Sequence, residues 1–145
     1  MSVERNKEIV RRYLGQVVSQ GDLTAVDDLI AEDVVFTSPY TPQPIRSREG
    51  LKQMLGGLHA AFPDFVLREE ALIAEGELVA SRWIAEGTHS GAPFGPLPPS
   101  GKRFRITGMS VYRVRGDRIA EGWVNDDTLG MAVQLGMAAV VAEAA

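Results

Sequence analysis

Asp126 and Asp127 stand side by side in the stretch EGWVNDDTLG, residues 121–130, directly after Asn125 and shortly after Trp123. Adjacent carboxylates repel each other, and each loses solvation if buried. The chemistry open to such a pair is proton transfer. A carboxylate whose pKa is raised by burial can remove a proton from a carbon next to a carbonyl. A neutral donor can then stabilise the enolate oxygen, and an apolar cavity can hold the reacting ends together. The requirement is one partly buried acid with polar donors in an apolar pocket.

Strand alternation sorts the candidates. Along 119–127, Ile119, Glu121, Trp123, Asn125 and Asp127 share one face, and Ala120, Gly122, Val124 and Asp126 share the other. If the Trp123 face lines a pocket, Asp127 is the buried acid and Asn125 its polar neighbour. An aspartate just before TLGMAVQLG is also a good helix N-cap. One helix has one N-cap, so cap and acid divide between the two aspartates in either order, or both are structural. A β-bulge at the strand end would exchange their faces.

An earlier strand offers a second set: Val79, Ser81, Trp83, Ala85, Gly87 and His89 share a face. His89 is a candidate proton relay near neutral pH, or else the organiser of the loop GTHSG. Phe94 and Leu97 in GAPFGPLPP are candidate lip residues of a pocket mouth. Thr37 and Met109 are further candidates for contact with a substrate. Asn125, Thr37 and Tyr40 are the side chains able to polarise a carbonyl, although Tyr40 also reads as a surface loop residue.

The elements that must position these groups follow from periodicity. Residues 3–19 form an amphipathic helix, with Ile9, Val10, Tyr13, Leu14, Val17 and Val18 at helical spacing. Gly21-Asp22 breaks it, and Asp22 caps a second short helix over about 23–31. DVVFTSP is a short strand, and the proline-rich SPYTPQPIRS is a loop. Ser47 caps a third helix whose apolar face holds Leu51, Met54, Leu55, Leu58 and Phe62, with His59 a partly buried surface residue beside it. After Pro63 long alternating strands begin. They turn near Glu75-Gly76 and at Gly116-Asp117, the latter a hairpin signal that makes the RGD tripeptide at 115–117 a turn rather than a recognition motif. A helix over 128–136 follows, and the tail MAAVVAEAA extends it, frays, or packs on a partner. Helices segregated from a curled antiparallel sheet define an α+β fold, a cone-shaped barrel suited to a small apolar ligand. Neither repeats nor a linker interrupt the chain, so residues 1–145 read as a single domain.

Composition narrows the function classes. A net charge of −4 argues against an electrostatic nucleic-acid binder, and the cluster Lys102, Arg103 and Arg105 reads as a solvated strand face. No apolar run approaches the roughly 20 residues that span a bilayer, and the charged start lacks a signal-peptide core, so cytoplasm is the default location. Without cysteine there are no disulfides or thiolate nucleophiles, and the two histidines fit no standard metal motif. No metal, nucleic acid or membrane is expected. A homodimer is compatible with an apolar outer sheet face.

Several segments, in order, resemble the SnoaL-like polyketide cyclase (ester cyclase) family: GDLTAVDDLIAEDVVFTSP, REGLKQMLGGLHAAFPDF, GTHSGAPFGPLPPSGKRF, GDRIAEGW and DDTLGMAVQLG. That family shares the cone fold of ketosteroid isomerase and nuclear transport factor two. The resemblance implies acid–base chemistry without cofactor or metal: ring closure of a polyketide by intramolecular aldol condensation, with proton transfer by an aspartate near the end of the last strand. The family spacing favours Asp127. One departure is Thr37, where many members carry a histidine. Thr37 and Ser38 donate hydrogen bonds but do not titrate, which puts a second acid–base group there in doubt.

Three functions follow as expectations. The first is a cyclase or isomerase acting on a hydrophobic carbonyl compound. The second is a non-catalytic ligand-binding or dimerisation domain using the same cone. The third, an epoxide hydrolase, wants two carboxylates bridged by an inward arginine, and Arg82 lies on the face opposite Trp83.

Overall fold

The computed structural model describes residues 2–139. Helix α1, Val3–Arg12, starts at Ser2, whose Oγ accepts from Arg5 N at 3.0 Å. It runs on as a π-helical segment, Tyr13–Ser19, that buries Tyr13, Leu14, Val17 and Val18. The wider turn exposes carbonyls to other partners, and His59 Nε2 lies 2.7 Å from Val18 O. A side-chain carbon at Gly21 would stand 3.2 Å from the His59 ring, tighter than ordinary contact, and Gly21 has a φ of 74°. The positive φ is what favours glycine there.

Asp22 caps a short 3-10 turn, Leu23–Ala25, and α2, Val26–Leu29, follows. The helix expected to reach residue 31 ends sooner because Ile30 is already extended and pairs with Ile119. It opens β1, Ile30–Thr37. Helix α3, Arg48–Ala61, has Ser47 as its N-cap, as the sequence predicts, with Gly50 N donating to its Oγ at 3.0 Å.

Strands β2 (Val66–Glu75), β3 (Leu78–Thr88), β4 (Arg103–Arg115) and β5 (Arg118–Asp126) form the expected antiparallel meander. The sheet order is β1-β5-β4-β3-β2. The sheet is nonetheless mixed, because β1 lies parallel to β5. No hairpin joins these two strands, so no turn forces them antiparallel. The hairpin between β4 and β5 has Gly116 and Asp117 both at positive φ, 58° and 62°, the type I′ geometry expected of this dipeptide. Helix α4, Thr128–Gln134, closes the described fold, and Gly136 at a φ of 79° ends it two residues short of expectation. The possible helical extension of the tail beyond residue 139 lies outside the described residues.

The concave face of the sheet is built from aromatic rings laid over glycines of neighbouring strands. Phe36 covers Gly122, Trp83 covers Gly108, and Phe104 covers Gly87. A side chain at Gly122 or Gly108 would collide with the covering ring. This interlocking lets the sheet curl tightly around α1 and α3. No described helix is long and apolar enough to cross a membrane.

Candidate functional site

The face assignment of β5 turns on one residue. Arg113 pairs with Glu121 and Val114 with Ile119, so Ala120 is an extra residue in β5, a β-bulge. Ile119 and Ala120 are both buried, and beyond the bulge Gly122, Val124 and Asp126 point into the cone. Trp123 and Asn125 therefore face outward, half-buried and exposed respectively. This corrects the expectation that the Trp123 face lines the pocket. Trp123 pairs with Val111 of β4 on the outer surface.

The two aspartates are thus separated. Asp127 is exposed and caps α4, its Oδ1 accepting from Gly130 N at 2.9 Å. Asp126 is half-buried at the rim of an apolar cavity of about 130 Å³. It is the one carboxylate among the described residues that line this cavity. Tyr40 Oη donates to Asp126 Oδ2 at 2.7 Å, and Thr128 Oγ1 donates to Oδ1 at 2.9 Å. Loss of solvation pushes the Asp126 pKa above the usual carboxylate range. The two donors pull it back down, and the charge of Asp127 pushes it up.

The helical walls of the cavity and the Trp83 face of β3 are faces that periodicity placed inward, while β4 adds a face that the sequence left unassigned. Tyr13, Leu14 and Val18 of the first helix and Met54, Leu55 and Leu58 of α3 form one side, and Trp83, Ala85, Phe104, Ile106 and Tyr112 of the sheet form the other. Trp83 Nε1 donates to Ser110 Oγ at 3.1 Å, and Ser110 Oγ lies 2.7 Å from Ser81 Oγ. This buried polar network fixes the indole. Deep in the cone, burial pushes the Tyr112 hydroxyl up to about 12 and holds that of Tyr13 well above its usual value, so both remain neutral phenols.

The mouth is made by loops and by α4. Phe94 lines the cavity, with its ring centroid 6.1 Å from that of Tyr40 and 5.2 Å from that of Phe62. Met131 of α4 also points in. Helix α4 is held there by Gln134, whose side-chain amide accepts from Arg105 N at 2.7 Å and donates to Arg105 O at 3.1 Å. That amide takes the place of a strand partner where β5 has already ended.

The remaining candidates stand off the cavity. His89 is fully buried against Phe62, with its Nε2 3.1 Å from Ala92 O, and its backbone pairs across the loop with Lys102 O and Gly101 N. That arrangement organises the loop, and no described neighbour bonds its Nδ1. Thr37 is exposed at the end of β1, where the inward residue is Ser38. Met109 lies on the outer face, 57% exposed. The alternation of β4 required this, since Gly108 and Ser110 point inward. Of the basic cluster, Arg103 and Arg105 pair with Glu86 on the outer face, together with Arg68. Tyr40, a carbonyl-polarising candidate that also reads as a surface loop residue, lines the cavity, and its contact with Asp126 is what the sequence does not show. Its proline-rich loop carries no periodicity, and its contact with Asp126 spans 86 residues of chain.

The fold and site together define a cone-shaped α+β domain with a carboxylate set at the rim of an apolar cavity. The profile of the SnoaL-like polyketide cyclases matches residues 8–135, and the chain belongs to that family. Among solved structures it is similar to wild-type IdmH from Streptomyces antibioticus, a candidate polyketide cyclase. Identity is 33% over 90% of this chain and 98% of that one, with a TM-score of 0.76. A candidate polyketide cyclase from Acidithiobacillus ferrooxidans is 31% identical over 96% of this chain and all of that one (100%), with a TM-score of 0.77. TsrD from Streptomyces laurentii shares the fold at 21% identity and a TM-score of 0.83, covering 95% and 99% of the two chains. No curated protein matches this sequence.

Proposed function

We propose that this protein is a cofactor-independent acid–base enzyme for a hydrophobic carbonyl or polyketide-like compound, and that Asp126 carries the proton in an aldol-type ring closure or an isomerisation. The observation that supports this most is the placement of Asp126, the one described carboxylate facing an otherwise apolar cavity, with its pKa raised by burial. A base works best when its pKa approaches the operating pH, and desolvation is the usual route for a carboxylate. The cavity has room for about one aromatic ring. It would hold the reacting end of a substrate, and anything larger needs the loops carrying Tyr40 and Phe94 to part. No arginine is among the described residues that line the cavity, which counts against epoxide opening by an arginine-bridged carboxylate pair.

The test is exchange of the acidic hydrogens of hydrophobic β-diketones in heavy water. The wild-type protein is expected to accelerate deuterium uptake over buffer, and Asp126→Asn to remove about a hundredfold or more of that acceleration. Equal rates for the two proteins would sink the proposal. Wild-type exchange no faster than buffer would sink it too, and would favour a domain that binds its ligand without turning it over.

A further inference from the structure

Three side chains read from the sequence are able to polarise a carbonyl oxygen, and the structure separates them. Asn125 and Thr37 are exposed and off the cavity. Tyr40 lines it, with its hydroxyl on the carboxylate that would take the proton. We propose that Tyr40 is a catalytic residue: its hydroxyl leaves Asp126 Oδ2 when substrate enters and donates to the oxygen of the carbonyl being enolised. This rests on the reading of Asp126 as the base.

The geometry suits a shared task. Oxygen and α-carbon of a carbonyl are neighbours across a single atom, so base and donor must also be neighbours. Tyr40 Oη and Asp126 Oδ2 are 2.7 Å apart. Thr128 keeps its hold on Oδ1, at 2.9 Å, so releasing Oδ2 frees one oxygen as base while the other stays oriented. Tyr40 sits in the loop after β1, outside any helix or strand, and its ring meets Phe94 of the other mouth loop. Burial and the adjacent Asp126 charge both raise the Tyr40 pKa, so the phenol stays neutral and donates without losing its proton.

The step balances. The α-carbon–hydrogen bond breaks and its proton goes to Asp126 Oδ2. The electron pair delocalises onto the carbonyl oxygen, which accepts the Tyr40 hydrogen bond. In a ring closure the α-carbon then attacks a second carbonyl carbon of the same molecule, and the resulting alkoxide takes the proton back from Asp126.

The experiment uses para-nitrophenol, whose ionised form mimics an enolate and absorbs distinctively, with the full chain carrying Asp126→Asn to imitate the protonated acid. That variant is expected to bind the probe as the phenolate. Adding Tyr40→Phe, which keeps the ring packing, is expected to weaken phenolate binding about tenfold or more. Unchanged affinity would overturn the role of Tyr40 while leaving Asp126 as base intact. Absence of phenolate binding in any variant would overturn both. An NMR titration of the Asp126 carboxyl carbon supplies a readout that packing alone does not move. Tyr40→Phe, in the otherwise wild-type chain, is expected to raise its pKa by removing a donor to the charged form. An unmoved titration would contradict the hydrogen bond on which the exchange depends.

Discussion

Trp83 lies over Gly108, its six-membered ring occupying the space that a side chain at residue 108 would need. The two residues pair across β3 and β4, and Gly108 pairs in turn with Asp126 across β4 and β5. The indole thus lies on the strand position next to the carboxylate and supplies part of the apolar wall of the cavity that Asp126 borders. Gly108→Ala must push the indole away from Ser110 and into the cavity. Overpacking of this kind costs about 1–3 kcal/mol. Chemical denaturation is expected to show that loss, and the Trp83 emission to shift, while a variant with wild-type stability would refute the packing.

The cap role of Asp127 is separable from the site. Asp127→Ala removes the acceptor of Gly130 N and is expected to cost about 1 kcal/mol. Asp127→Ser should restore most of it, because a serine hydroxyl caps as well. Urea midpoints of the three proteins decide the point, and an alanine variant as stable as the wild type would contradict the assignment.

Asp126 should cost stability at neutral pH. Its folded pKa is raised, so between the unfolded and the folded value the native state binds more protons than the unfolded chain, and stability falls as pH rises through that window. Below the unfolded carboxylate pKa the penalty is absent. Asp126→Asn is therefore expected to raise the melting temperature at neutral pH, with the gain shrinking as pH falls through the carboxylate range. A variant less stable at neutral pH than in acid, relative to wild type, would show that the hydrogen bonds from Tyr40 and Thr128 outweigh desolvation.

Gln134 holds α4 across the mouth through both polar groups of Arg105. Gln134→Leu leaves that amide and carbonyl without their side-chain partner. Faster hydrogen exchange at Arg105 N and along α4 is expected, and exchange at the wild-type rate would argue that α4 is held by packing alone.

Much of the cone was legible in the sequence, because helical and two-residue periodicity are local signals. The inward set of β3, from Val79 to His89, is buried as the alternation requires. Ser47, Gly116 and Asp117 announced a cap and a turn by residue type alone. What was not legible depended on register. The bulge at Ala120 places Ile119 and then Gly122 inward, so counting by twos from Ile119 reversed every later residue of β5. The size of Trp123 reinforced the error, since a large aromatic reads as interior. A clue was present in Gly122, whose missing side chain makes room for Phe36. The parallel pairing of β1 and the Tyr40–Asp126 contact join residues far apart in sequence, and no local pattern encodes either.

The most direct test compares Asp126→Asn with Asp127→Asn in turnover of a verified cyclisation substrate, with folding of both checked by circular dichroism. Asp126→Asn is expected to lower kcat about a hundredfold or more. Asp127→Asn, whose asparagine still caps α4, is expected to keep near wild-type kcat. Full turnover by Asp126→Asn, or its loss only in Asp127→Asn, would contradict the account.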